Sequence, residues 1–216
     1  MRNVYLHLCF VFCLIFPFIS QAENGDEHMV LGMGIPFNYP FDRTVKWHIK
    51  ELASGAVLKH GMGPIRKLLF EVPGTYQITI EEELNYDPLT CNHPQYPEEM
   101  TIEVSPFHME FDFSTVRLSD EIVGGHPVDG QTLSIDVTFT AYGQDSLACE
   151  IQPFTSSGVG TTIVGVPVHR EVTLYPGVNT ITYRLSGQAR SNSYLMFDFV
   201  DINNQVQVYG LPQKIK

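Results

Sequence analysis

The chain has 216 residues, with 24 Asp and Glu against 13 Lys and Arg, a formal net charge of −11. That balance argues against nucleic acid, which needs clustered cations to displace counterions, and against electrostatic docking on an anionic bilayer. With 44% hydrophobic and 17% charged residues, the chain can bury a sizeable core, as one large domain or two of about 100 residues each.

The first residues read as an export signal. Met1-Arg2-Asn3 is a short positive start, Val4 to Ile19 is almost wholly apolar, and Ser20-Gln21-Ala22 offers small residues at a cleavage site before the polar run Glu23-Asn24-Gly25-Asp26-Glu27. The apolar run falls short of the roughly 20 residues that span a bilayer. Cleavage after Ala22 is therefore expected, leaving residues 23–216 in the periplasm or at the cell surface. Of four cysteines, Cys91 and Cys149 remain after cleavage. They fall in different candidate modules, so the disulfide of antibody domains is not expected. An inter-module bridge in an oxidising compartment and two free thiols both stay open.

Strand signals dominate the rest of the chain. Val45, Trp47 and Ile49 alternate along residues 44–49, so one face of that strand enters a core. A second candidate runs over residues 68–72. Pro73-Gly74 then breaks the chain before residues 75–81, with Tyr76, Ile78 and Ile80 inward. A Pro-rich loop occupies residues 85–98, and residues 100–104 close a first module. Ser105-Pro106 is the expected boundary, because proline disfavours continuing a ladder. In the second half, strands are expected at 109–113, 115–118, 132–142, 148–154, 161–166, 169–174, 179–186, 194–201 and 205–209. The clearest is 132–142, with Leu133, Ile135, Val137 and Phe139 on one face and Thr132, Ser134, Asp136, Thr138 and Thr140 on the other. Ser156-Ser157-Gly158, Pro176-Gly177 and Asn203-Asn204 supply turns. Pro176-Gly177 before a Tyr-bearing strand parallels Pro73-Gly74 before Tyr76, which suggests two modules of similar design. Short strands at this spacing, with no capped helical period, predict an all-β chain of two tandem immunoglobulin-like sandwiches, residues 23–105 and 106–216, after the signal peptide 1–22.

No constellation for catalysis stands out. Thr155-Ser156-Ser157-Gly158 lacks the strand–Ser–helix context of a nucleophile elbow. The histidines after the signal (His28, His48, His60, His93, His108, His126 and His169) are dispersed rather than spaced as metal ligands. Glu81-Glu82-Glu83 reads as a solvated strand end, and Asp198 and Asp201 read as turn residues. The expectation is no catalytic residue, no metal and no cofactor. Tyr39, Tyr86, Tyr96 and Tyr142 are the candidate binding residues, since rigid amphipathic rings in loops can form a platform for sugar or peptide. Local packing of those loops on the sandwich is the alternative. The loop 87–98, flanked by Tyr86 and carrying Tyr96, is the segment most worth testing.

Two resemblances add to this. Val45-Lys46-Trp47, the run Leu69-Phe70-Glu71-Val72-Pro73-Gly74-Thr75-Tyr76-Gln77-Ile78-Thr79-Ile80, and Met100-Thr101-Ile102-Glu103-Val104 make the first module similar to PKD-type immunoglobulin-like modules, without their Gly-Asp-Gly turn after the Trp. Residues 109–210 resemble the TraQ-type proteins of bacterial conjugative transposons. The match rests on Ile135–Phe139 with Cys149–Gly160, then on Thr180–Ser186, then on Phe197–Gln205. Asn204 stands where that family usually has Gly, and Asn tolerates a left-handed turn. This resemblance implies an envelope protein associated with DNA-transfer machinery and brings no catalytic residues.

The reading is therefore an exported structural or interaction module whose partners are other envelope proteins, with peripheral or no membrane contact. Two rivals are an adhesive or carbohydrate-binding module using the four tyrosines, and a hydrolase with a site at the module junction.

Overall fold

The computed structural model describes residues 27–82, 94–212 and 214–216. The expected signal peptide, Tyr86, Cys91 and His93 lie outside the described residues. Among those described, every regular element is a β-strand, and the apolar side chains form two separate cores that share no residue.

The first core belongs to strands β1 (Glu27–Gly32), β2 (Phe37–Tyr39), β3 (Lys46–Glu51), β4 (Val57–Met62), β5 (Ile65–Leu68), β6 (Gly74–Glu81) and β7 (Glu99–Ser105). A five-stranded sheet in the order β1-β7-β6-β3-β4 is packed with the two-stranded ribbon β2-β5. β1 runs parallel to β7, and the other pairs are antiparallel. In immunoglobulin lettering this is A′-G-F-C-C′ over B-E. Val45, Trp47 and Ile49 face the core as their alternation predicts, as do Tyr76, Ile78 and Ile80. Trp47 Nε1 donates to the Gly63 carbonyl at 2.8 Å, so the one polar atom of the buried indole is satisfied. Opposite it, Gly61 has no room for a Cβ beside the indole. Tyr76 Oη donates to the Val72 carbonyl at 2.8 Å, the tyrosine corner of immunoglobulin-like sandwiches.

The second core belongs to β8 (Phe107–Leu118), β9 (Thr132–Ala141), β10 (Leu147–Glu150), β11 (Phe154–Ser157), β12 (Val164–Pro167), β13 (Glu171–Leu174), β14 (Gly177–Ser186), β15 (Met196–Val200) and β16 (Val206–Gly210). Seven of these form one antiparallel sheet, β16-β15-β11-β12-β14-β9-β8, and β10-β13 make a separate ribbon. The order is G-F-C-D-E-B-A: the two sheets of a constant-type immunoglobulin domain, made continuous by the β11–β12 pair. Leu133, Ile135, Val137 and Phe139 all enter the core.

The sheet curls until its edge strands β8 and β16 meet, and a side chain closes the seam. Gln207 Oε1 accepts from Phe111 N at 3.0 Å, and Gln207 Nε2 donates to Met109 O at 2.9 Å. A carboxamide carries the same donor and acceptor as a peptide unit, so Gln207 stands in for a missing ladder step. Phe113 stacks on Tyr209 across the seam at 5.4 Å. Asp201 anchors the β15–β16 hairpin: its Oδ1 accepts from Asn203 N at 2.8 Å and Gln205 N at 2.9 Å, and its Oδ2 accepts from Gln207 Nε2 at 3.2 Å. Asn204, at φ 59°, takes the left-handed turn its side chain tolerates.

Several sequence expectations need correction. The strand expected at 68–72 is instead β5, ending at Leu68. Lys67 sits at φ 50° and its N–H is held by Asn38 Oδ1 at 2.9 Å, which turns the chain out of the ladder. The expected pieces 109–113 and 115–118 are one strand, with a bulge between Asp112 and Arg117, where Thr115 Oγ1 accepts from Asp136 N at 2.9 Å. The strand expected at 148–154 is two, because Pro153 has no N–H and the chain passes there from the ribbon to the main sheet. The parallel between the two Pro-Gly turns is not structural: Tyr76 lies on F and Tyr183 on E. Strands β1, β2 and β4 lie outside the sequence expectations.

Candidate functional site

The structure brings two of the four candidate tyrosines together. Tyr39 ends β2 and Tyr96 lies in the loop before β7, with Phe41 between them. The Tyr39 and Phe41 rings lie 4.4 Å apart, and Tyr96 meets Phe41 edge-on at 5.2 Å and Tyr39 at 6.4 Å. Pro40 fixes the turn between the first two rings. The polar ends of both phenols are engaged within the chain. Tyr39 Oη donates to Glu27 Oε2 at 3.2 Å, and Tyr96 Oη accepts from Asp42 N at 3.1 Å. Glu82 Oε2 accepts from Gln95 N at 2.8 Å and ties down the loop that carries Tyr96. Burial, reinforced by the Glu27 carboxylate, pushes the Tyr39 hydroxyl up to about 12. Edge-on rings with engaged hydroxyls staple the loop to the β2–β3 connection.

A hollow of about 400 Å³ opens beside Tyr96, lined by Ile80, Pro94, Pro97 and the acidic residues Glu81, Glu82, Glu98 and Glu99. Two of these are engaged: Glu82 on the loop backbone, and Glu99 with the Gln77 carboxamide. Tyr142 stands apart, at the junction of the modules. Its N–H donates to Pro106 O at 2.9 Å, and its hydroxyl covers Gly34, where a Cβ would collide with it. Gln205 Nε2 also crosses the junction, to the Val30 carbonyl. Tyr86 lies outside the described residues. Cys149, half-buried on β10, carries no disulfide, and burial pushes its thiol up, away from the reactive thiolate.

A second surface has no counterpart among the residues singled out from sequence. On the outer face of the second module, Val164 and Val166 of β12, Met196 of β15, and Val206 and Val208 of β16 are exposed, the last two at 59% and 50%. The register sets Val206 opposite Val200 and Val208 opposite Asp198. On β15 and β12, Phe197, Phe199 and Pro167 face the core. Strands 196–200 and 164–167 thus carry apolar residues on both faces, and that is the signal by which sequence could have marked them.

The chain matches no protein-family model and no curated protein sequence.

Proposed function

We propose that the chain is an exported, non-catalytic structural and interaction protein of the bacterial cell envelope, in its most specific form an accessory of a conjugative transfer apparatus. The observation that carries the first part is the outward apolar face of β12, β15 and β16. Apolar side chains on an outer sheet face beside polar neighbours such as Asp198 and Thr155 fit contact with another protein surface. The sandwich supplies rigid geometry, and the second surface supplies adhesion. The conjugative assignment rests on the resemblance of residues 109–210 to TraQ-type proteins.

The test is crosslinking of the chain in its native envelope, with attached partners identified by mass spectrometry. The expected result is recovery of defined envelope proteins, with transfer-channel or pilus components among them, and their loss in the V206D/V208D variant. Recovery of glycan alone, or partners that the variant retains, would overturn the reading.

A further inference from the structure

The five-stranded sheet of the first module has two unlike edges. At β1, the second module reaches over: Gln205 holds the Val30 carbonyl, and His108 packs against Gly32. At β4, no described strand pairs on the outer side. The hydrogen bond from Gly63 N to Val45 O at 2.8 Å sets which residues of β4 bond inward, and by alternation His60 and Met62 turn their N–H and C=O groups outward, while Leu58 sits in a bulge opposite Ile49 and Lys50. Val57 and Met62 are 62% and 63% exposed, with Leu52 and Leu58 exposed beside them.

Positive charge is concentrated in the stretch of sequence that contains β4. Residues 43–67 contain Arg43, Lys46, Lys50, Lys59, Arg66 and Lys67 against Glu51 alone, a local excess of five positive charges in a chain of net −11. Lys50, Lys59 and Arg66 form no ion pair among the described residues. A lysine on an edge normally keeps strands of like charge away, and so it selects what the edge accepts.

We propose that β4 is a docking edge for an extended acidic segment of a partner protein, which adds as a further strand on β4. The partner's backbone bonds to the outward groups of His60 and Met62. Its apolar side chains lie along Leu58 and Met62, and its carboxylates, alternating to the opposite face, meet Lys59, with Lys50 of β3 adding positive charge nearby. The inference goes beyond the apolar face of the second module and does not depend on it: peptide binding in vitro would survive a failed envelope crosslink.

The probe is a short fluorescein-labelled peptide alternating Glu and Val, titrated with the full chain and read by fluorescence anisotropy. Three comparisons accompany it: a Lys-Val peptide, a Glu-Val peptide interrupted by proline, and the chain variants K50E/K59E and H60P. H60P removes one outward donor from the edge, and its folding is checked by circular dichroism. K50E/K59E changes only surface charge. The acidic peptide is expected to bind, with affinity falling about tenfold or more in K50E/K59E, in folded H60P, and for the proline peptide. Equal binding of the proline-interrupted peptide would overturn the proposal, since mere charge attraction does not need backbone donors. So would binding indifferent to K50E/K59E, no binding at all, or sedimentation showing β4 already paired with a second copy of the chain.

Discussion

Gln207 is the sharpest place to perturb this structure. Its side chain makes three hydrogen bonds, to Phe111 N, Met109 O and Asp201 Oδ2. Q207A removes all three at a seam whose flanking residues Met109 and Phe111 are buried. At a net of about 0.5–1.5 kcal/mol each, with water replacing part of the loss, the cost is about 2–3 kcal/mol. Q207E is the informative isostere. It keeps an acceptor for Phe111 N, but an ionised carboxylate loses both donors and faces the Asp201 carboxylate and the Met109 carbonyl. Rotation of the side chain into solvent caps its cost near that of alanine, again about 2–3 kcal/mol. Once protonated, the same side chain regains a donor. The folded state therefore raises the pKa of the introduced acid above its unfolded value near 4.3. The pH-dependent part of the penalty is absent below that unfolded value and is fully developed once pH has risen through the folded one. Thermal unfolding of the wild type, Q207A and Q207E at about pH 4 and about pH 8 measures this. Q207E should lie roughly 5–10 °C below the wild type at the higher pH and recover much of that gap at the lower, while Q207A stays low at both. A Q207E penalty independent of pH, or none at neutral pH, would refute the idea that this carboxamide replaces a ladder step.

Other outcomes rest on single groups. Y76F removes the bond to Val72 O at 2.8 Å and should lower stability by about 1 kcal/mol, seen as a lower denaturant midpoint with unchanged slope. Tyr183 is fully buried and its hydroxyl has no hydrogen-bond partner among the described residues, so burial holds the phenol neutral far into the alkaline range. Y183F should leave stability unchanged or raise it by about 1 kcal/mol, and a loss larger than that would show that the hydroxyl is satisfied. Tyr39 is raised from 10.0 to about 12, so its contribution is complete below 10 and is lost as pH rises through 12. Ultraviolet titration of phenolate should show a late component that Y39F reduces.

Local sequence determined the strands that have one wet and one dry face. Trp47, Ile78, Ile135 and Val137 alternate with polar neighbours, and period two is enough to place them in a core. The turn at Asn204 was legible for the same kind of reason, since a left-handed φ favours few residue types. The tyrosines were legible as loop residues, but whether their rings meet depends on which loops the sandwich brings together. Tyr39 and Tyr96 are distant in sequence and adjacent in space, while Tyr142 is at the junction.

The last strand is where local reasoning reverses. Val206-Gln207-Val208-Tyr209 alternates, and polarity alone would turn the valines inward. The structure turns Gln207 and Tyr209 toward the interior and leaves both valines outside, because closing β16 onto β8 needs a donor and an acceptor at that height. That requirement exists only once seven strands have curled into one sheet. The unlike edges β1 and β4 have the same origin. Nothing in the residues of β1 says it will be covered, and nothing in β4 says it will be last. Strand order, set by pairings distant in sequence, decided which backbone groups meet protein and which meet water.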